Sequence, residues 1–199
     1  IYYNSDGKPG SMCGNGGRCI VAFAEFLGII TKKAEFIAVD GLHNATIDDE
    51  IISLQMQNVT EIMPKPNCLF LDTGSPHHVQ MVSDLDAYSV LEEGAKLRYG
   101  LYGEKGSNIN FVERLGEESF AVRTYERGVE NETLSCGPCV TAVAIAMHKA
   151  NNVKSDIIDI ETKGGTLQVK ILAGANGYSL VRLIGSAIMV VIGEVEWKI

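Results

Sequence analysis

Several things are scarce in this sequence, and each scarcity excludes something. Its 199 residues include five prolines and one tryptophan, and no stretch is low in complexity, so no obvious linker divides it. Charge of one sign is never concentrated. The 17 Lys and Arg are scattered among 25 Asp and Glu, for a net charge of −8. With no basic patch, neither nucleic acid nor an anionic membrane is expected as the main partner. Long hydrophobic runs are missing as well. The longest uncharged stretches, Thr133–His148 and Leu183–Gly193, fall short of the roughly 20 apolar residues that a spanning helix needs. No basic segment followed by an apolar core opens the chain, so no export signal is expected and a cytoplasmic location is. Cysteine is present in an odd number, five, with two in glycine-rich turns. That suits working thiols in a reducing compartment better than a disulfide framework. The opening Ile1-Tyr2-Tyr3-Asn4 is strand-like, lacks a Met and reads as though joined midway.

What is present is an ordinary globular composition, 46% hydrophobic and 21% charged, enough for one large domain or two small ones. Comparing the chain with itself gives more. Tyr2-Tyr3-Asn4 leads through Asp6-Gly7 to Met12-Cys13-Gly14-Asn15 and then an Ala-rich apolar run, Ile20–Leu27. Thr124-Tyr125-Glu126-Arg127-Gly128 leads through a polar turn to Ser135-Cys136-Gly137 and another such run, Val140–Met147. Asn4 precedes Cys13 by nine residues, and Arg127 precedes Cys136 by nine. Short alternating strands follow each run: Phe36–Val39, Ala45–Ile47 and Ile51–Gln55 in the first case, Ile157–Thr162, Thr166–Leu172 and Tyr178–Ile184 in the second.

The expected fold is therefore α+β, with two pseudo-symmetric halves. Each is a mixed or antiparallel sheet wrapped around a buried central helix, because both helices are apolar nearly all round. The active site is expected in the cleft between them. The two prolines of Met63-Pro64-Lys65-Pro66-Asn67 suit an extended crossing and place the boundary there. This gives an N-terminal half over 1–62, a C-terminal half over 63–188 and a terminal segment, 189–199, returning to the first half.

Each Cys of the repeat reads as the start of a helix. A helix N-terminus offers free N–H groups and about half a positive charge, which stabilises a thiolate and binds a carboxylate. Cys13 and Cys136 are thus candidate ionisable thiols beside an anion site; two inert cysteines in close-packed turns are the bland alternative. Cys19 reads as a buried helix residue and Cys68, beside Leu69-Phe70-Leu71, as a strand core residue.

Tyr3-Asn4-Ser5-Asp6-Gly7 with Met12-Cys13-Gly14-Asn15-Gly16-Gly17-Arg18-Cys19 closely resembles the first cysteine motif of the diaminopimelate epimerases. Tyr125-Glu126-Arg127-Gly128 with Glu132-Thr133-Leu134-Ser135-Cys136-Gly137 resembles their second. Gly74-Ser75-Pro76-His77 and Gly106-Ser107-Asn108-Ile109-Asn110-Phe111 match two further stretches in the family's order. The resemblance implies cofactor-independent interconversion of LL- and meso-diaminopimelate, in lysine and peptidoglycan precursor biosynthesis, without pyridoxal phosphate. Inverting an α-carbon needs a proton removed from one face and another delivered to the opposite face. The resemblance assigns Cys13 and Cys136 to those two faces, with His77 and Glu126 assisting. It implies that Asn4, Gly14, Asn15, Ser75, Asn108, Glu126, Arg127, Gly137 and Pro138 hold the substrate, and that no metal takes part. Diaminopimelate, a small molecule, is the expected partner, and a homodimer is plausible in the family.

The chain departs from the family pattern in three places. Ser75 stands where Asn is usual and has a shorter reach. Cys136-Gly137-Pro138-Cys139 replaces Cys-Gly-Thr-Gly or Cys-Gly-Ser-Gly, and Pro138 has no N–H to offer an anion. The family also carries a strand-turn-helix region with a Gly-Asn-Asp-Phe stretch before the first motif, so a truncated start is expected. Rival readings stay open. One is a proline or hydroxyproline racemase, which shares the two-cysteine design, and another is an inactive paralogue. A third is a thiol–disulfide oxidoreductase, because Cys136-Gly137-Pro138-Cys139 is also the thioredoxin tetrapeptide. The last is a zinc site from Cys13, Cys19, Cys136 and Cys139.

Overall fold

Small apolar side chains decide where the core sits. Val140–Met147 contains only one polar residue, Thr141, and its hydroxyl is satisfied within the helix, donating to the Gly137 carbonyl at 3.1 Å. In the computed structural model, which describes residues 7, 12–194 and 196, this run forms helix α3, Gly137–Lys149. Every residue from Gly137 through Met147 is buried. The alanines present almost no side chain, so strands approach from all sides and the sheet curls around the helix.

The chain forms helix α1 (Gly14–Phe26), then strands β1 (Lys33–Ala38), β2 (Gly41–Asp48) and β3 (Ile51–Gln55). Next come β4 (Ile62–Lys65), β5 (Cys68–Asp72), β6 (Pro76–Met81), helix α2 (Val90–Gly100), β7 (Asn108–Arg114), β8 (Ser119–Glu126) and β9 (Asn131–Thr133). After α3 follow β10 (Ile157–Thr162), β11 (Gly165–Gly174) and β12 (Gly177–Ser186). All belong to one 12-stranded sheet in the order β1-β2-β3-β12-β11-β10-β8-β7-β6-β5-β4, with β9 paired to β8 off that path. Seven of these strands touch α3: β5, β6, β7, β8, β10, β11 and β12. Two neighbouring pairs are parallel, β6 with β7 and β8 with β10, and each is joined through a helix, α2 or α3. Parallel pairing requires such a crossover.

The internal repeat is visible in the architecture. Each cysteine turn opens a helix that is followed by a three-stranded antiparallel meander. The first hairpin closes on Ala38 opposite Gly41, the second on Thr162 opposite Gly165, and both glycines have φ +121°. That value is strained for any residue with a Cβ. The two meanders meet through their last strands, β3 against β12, antiparallel, with Leu54 opposite Leu183 and both side chains fully buried. Antiparallel pairing of equivalent strands is what a local two-fold axis produces.

Two expectations need correction. The helix α1 is covered on one side only: Gly14, Gly17, Arg18 and Val21 are buried, whereas Ile20, Phe23 and Phe26 are at least 50% exposed. Among the described residues the helices and strands that pack on it are β2, β3, β12 and α3, and Ile20, Phe23 and Phe26 lie off that contact. The two prolines near 65 do not form a free crossing. Pro64 lies in β4, a strand at the sheet's edge, and Pro66-Asn67 makes the hairpin turn to β5, with Asn67 at φ +63°. An edge strand tolerates a residue that cannot donate to the ladder.

Candidate active site

The first turns of α1 and α3 are built alike and press against each other. Cys13 is the N-cap of α1 and its sulfur accepts the Gly16 N–H at 3.3 Å; Cys136 caps α3 and its sulfur faces the Cys139 N–H at the same distance. Both cap residues are extended, and each cap carbonyl accepts the first helical bond, from Gly17 at 2.8 Å and from Val140 at 3.0 Å. Directly after the cysteines, Gly14 and Gly137 meet. A Cβ on Gly14 would lie 3.1 Å from the Gly137 Cα, and one on Gly137 would lie 2.9 Å from the Gly14 Cα. Leu183 of β12 closes the contact from below, 2.8 Å from either hypothetical methyl. Only glycine allows two helix starts so close. Their unpaired N–H groups and positive dipole ends therefore converge on one region, next to both cysteines.

Side chains lock this junction. Asn15 donates from its amide to the Ser135 carbonyl at 3.3 Å, tying one cysteine turn to the other. Its amide oxygen accepts from the buried Arg18 guanidinium at 3.1 Å. Arg18 also reaches the Ser186 and Gly14 carbonyls, and burial pushes its guanidinium below the usual range.

A second chain of hydrogen bonds runs from α3 into β6, β7 and β8. Thr73 gives its single hydroxyl proton to the Pro138 carbonyl at 3.2 Å and must therefore accept from His77 Nε2, 2.9 Å away. His77 thus carries its proton on Nε2. The ring is fully buried, and burial, with Arg127 nearby, lowers its pKa to about 3, so it is neutral at ordinary pH. Ser75 Oγ lies 3.1 Å from the same nitrogen and accepts from the Asn108 amide at 3.2 Å. Asn108 in turn accepts the Arg127 backbone N–H at 2.9 Å. His77 and Asn108 are register partners across the parallel pair β6/β7, which explains how two distant motifs become neighbours. Glu126 ends β8 half-buried, and burial raises its carboxyl above the usual range.

The residues singled out from the sequence are thereby joined. Cys13, Gly14 and Asn15 meet Cys136, Gly137 and Pro138, and the latter link through Thr73 to His77, Ser75, Asn108 and Arg127, with Glu126 adjoining. Asn4 lies outside the described residues. Three residues of this network escaped the sequence reading. Thr73 gave only the weak signal of a polar residue entering the Gly74-Ser75 turn. Leu183 looked like any strand residue. Arg98 lies in α2, an element the sequence reading did not identify. It clamps Glu130 with Nε and Nη2 at 3.0–3.2 Å and the Gly103 carbonyl with Nη1 at 2.6 Å, pinning the loops before Asn108 and after Arg127.

The cysteines bring two corrections. Cys136 and Cys139 are joined in a disulfide, so not every thiol is free; Cys13, Cys19 and Cys68 are. Cys19 is exposed, because it faces outward from the uncovered side of α1, whereas Cys68 is buried in β5 as expected. The four-cysteine zinc set is not assembled, with two members bonded to each other and Cys19 on the outer face. Among the described residues no group of three or more His, Cys, Asp or Glu is placed to hold a metal, and no helix is long and apolar enough to cross a membrane.

The sequence of the chain corresponds to a known family. The family described as diaminopimelate epimerase matches residues 69–190. The chain belongs to the diaminopimelate epimerase family. A relative named diaminopimelate epimerase from Flavobacterium psychrophilum is 57% identical over 171 residues, covering 85% of this chain and 67% of that protein. Those from Chlorobaculum tepidum and Aquifex aeolicus are 39% and 36% identical, covering 84% and 82% of this chain and 69% and 63% of theirs. The chain thus spans about two thirds of the length of the curated relatives it matches. Among solved structures, a "probable proline racemase" from Agrobacterium radiobacter K84 superposes with a TM-score of 0.69 at 14% identity, covering 98% of this chain and 70% of that one. A phenazine biosynthesis protein of the PhzF family from Enterococcus faecalis gives 0.65 at 15%, covering 98% and 76%. At such identities the likeness establishes the fold, mixed α+β with one large sheet, and nothing more.

Proposed function

We propose that the chain carries the two-thiol centre of a diaminopimelate epimerase, inverting one α-carbon of LL-diaminopimelate to give the meso form without pyridoxal phosphate. The observation that carries this reading is the junction of Gly14 and Gly137, which sets two cysteine-capped helix starts against each other. One thiolate removes the α-proton while the opposite thiol delivers a proton to the other face. The two cysteines end the turnover in exchanged protonation states.

An amino-acid α-proton is a weak acid, so charge developing on the carboxylate must be offset as the proton leaves. The leading N–H groups of both helices do this, Gly14 and Asn15 on one side and Gly137 on the other. Pro138 supplies a carbonyl anchor for Thr73 in place of a donor. The Arg127 guanidinium takes a carboxylate of the substrate, and Asn108 holds its backbone in place. Glu126, with its carboxyl raised by burial, assists at the reacting amino group. Neutral His77 keeps the Thr73–Ser75–Asn108 chain in register and moves no charge of its own. Asn4 and Ser75 complete the substrate contacts in this reading. The boundary at 62/63, with 189–199 returning to the first half, belongs to the same proposal; residues 187–191 already line a groove beside α1. So do a cytoplasmic location and a homodimer.

The test is deuterium incorporation at the inverted α-carbon of the meso product that the fully reduced chain forms from LL-diaminopimelate in deuterium oxide. Cys13→Ser and Cys136→Ser should each lower it by roughly 10²–10⁴-fold, the usual worth of a positioned acid–base group. Retention of the full rate by either variant would refute the assignment. Turnover of proline in place of diaminopimelate would move the site to the racemase reading.

A further inference from the structure

The two cysteine turns differ in one chemical respect. At the third helical position, where each turn donates its N–H to the capping sulfur, α1 has Gly16 and α3 has a second thiol, Cys139. We propose that Cys136 and Cys139 form a reversible thiol–disulfide couple, in which Cys136 meets a small-molecule disulfide and buried Cys139 resolves it. Its consequence for turnover rests on the reading of Cys136 as one of the two bases.

Three observations carry the proposal. The pair is bonded in this structure, with Cα atoms 5.2 Å apart, inside the range a disulfide spans without backbone movement. Cap and third residue are brought together by the helix turn itself, so closing the bond needs no rearrangement of α3. The two thiols also differ in access. Cys136 is partly open to solvent, whereas Cys139 is fully buried among the strands around α3. An outside reagent therefore meets Cys136 first. Cys13 has no comparable neighbour, since Gly16 cannot supply a sulfur.

The chemistry balances with a disulfide as oxidant. The Cys136 thiolate attacks a glutathione-type disulfide, forming a mixed disulfide and expelling one thiolate. Cys139 attacks the Cys136 sulfur and its proton passes to the departing sulfur, which leaves as the second thiol while the ring closes. Two electrons pass to the small molecule, which leaves as two thiols; a dithiol reverses the sequence. In the closed form Cys136 has neither a proton to give nor a lone thiolate to receive one. Cys13 stays free, so the oxidised chain keeps one base of the pair.

The sequence makes the test direct. Trypsin releases Gly128–Lys149 as one peptide that contains Cys136 and Cys139 and none of the other cysteines. The reduced chain is treated with glutathione disulfide, quenched with acid, alkylated and read by mass spectrometry. The expected product is this peptide closed on itself, with no lasting glutathione adduct, and dithiothreitol restores the dithiol. In Cys139→Ser, and equally in Cys139→Ala, the glutathione adduct on Cys136 should persist. In Cys136→Ser, Cys139 should react at least about tenfold more slowly than Cys136 does, as its burial dictates. A main product joining Cys136 to Cys13, or a Cys139 as reactive as Cys136, would overturn the couple. Deuterium exchange on the same samples separates the two readings. Exchange lost with disulfide closure and regained with dithiothreitol joins them. Full exchange in the closed form would dismiss Cys136 as a base and leave the couple standing.

Discussion

The helices α1 and α3 begin with the same device and end in different surroundings. Each is capped by a cysteine sulfur that receives an N–H three residues on, and each places a glycine against the other's. Yet α3 buries eleven of its thirteen residues, and α1 four of its thirteen. The cap is set by local sequence: an extended Cys, then glycine, then a helix-forming run. Burial is set by what packs around the helix, and only α3 has seven strands about it. An apolar run therefore signals that a helix can be buried and leaves open how much of it is.

The widest expected gap between the two helices is in packing energy. Ile145→Ala, in the fully buried middle of α3, should cost about 2–5 kcal/mol of stability. Phe23→Ala on α1, where the residue is already half exposed, should cost less than about 1 kcal/mol. Denaturant unfolding of the two variants checks this, and equal losses would erase the contrast.

Acid should expose the α3 side next. His77 anchors Pro138 through Thr73, and its pKa is held near 3, below the ordinary 6.5 of histidine. Between those values the unfolded chain binds a proton that the folded chain refuses, so stability falls as pH drops from 6.5 towards 3. The slope should approach about 1.4 kcal/mol per pH unit within that window. His78, also lowered by burial, adds in the same direction. His77→Gln should flatten the profile measurably; an unchanged slope would show that His77 titrates freely.

The smallest effects test the junction where the two turns meet. Gly137→Ala places a methyl 2.9 Å from the Gly14 Cα and 2.8 Å from Leu183, an overpacking worth about 1–3 kcal/mol. Gly16→Ala, two residues beyond Gly14 in α1, meets only Cys13 at 3.5 Å and beyond, and should stabilise α1 by up to about 1 kcal/mol. Thermal melts that rank these two the other way would mean the helix starts are not in contact.

Much of this was legible in the sequence. The apolar runs after Cys13 and Cys136 became α1 and α3, and Ile51–Gln55 and Ile157–Thr162 are strands with those same ends. These segments carry strong periodicity bounded by glycine turns, so local pattern and tertiary placement agree. The helix α2 was not legible. Its Val90-Leu91-Glu92-Glu93-Gly94 start has weak apolar periodicity and a central glycine. That glycine is explained only by Tyr125 packing against it from β8. The site followed the same division. Motif residues such as Ser75, Asn108 and Arg127 stand out in the sequence, while Thr73, Leu183 and Arg98 act through distant partners that no spacing reveals. The disulfide between Cys136 and Cys139 was present in the letters as a Cys-x-x-Cys, a pattern that fits redox, metal and structural roles alike.

If two thiols face one carbon from opposite sides, the origin of the product's α-proton reveals it. The reduced chain is given LL-diaminopimelate in deuterium oxide, and both product and recovered substrate are analysed at low conversion. Two opposed bases predict meso product carrying solvent deuterium at the inverted carbon while recovered LL substrate stays unlabelled. A product that keeps the original proton would mean a single group removes and returns it, and would contradict the account.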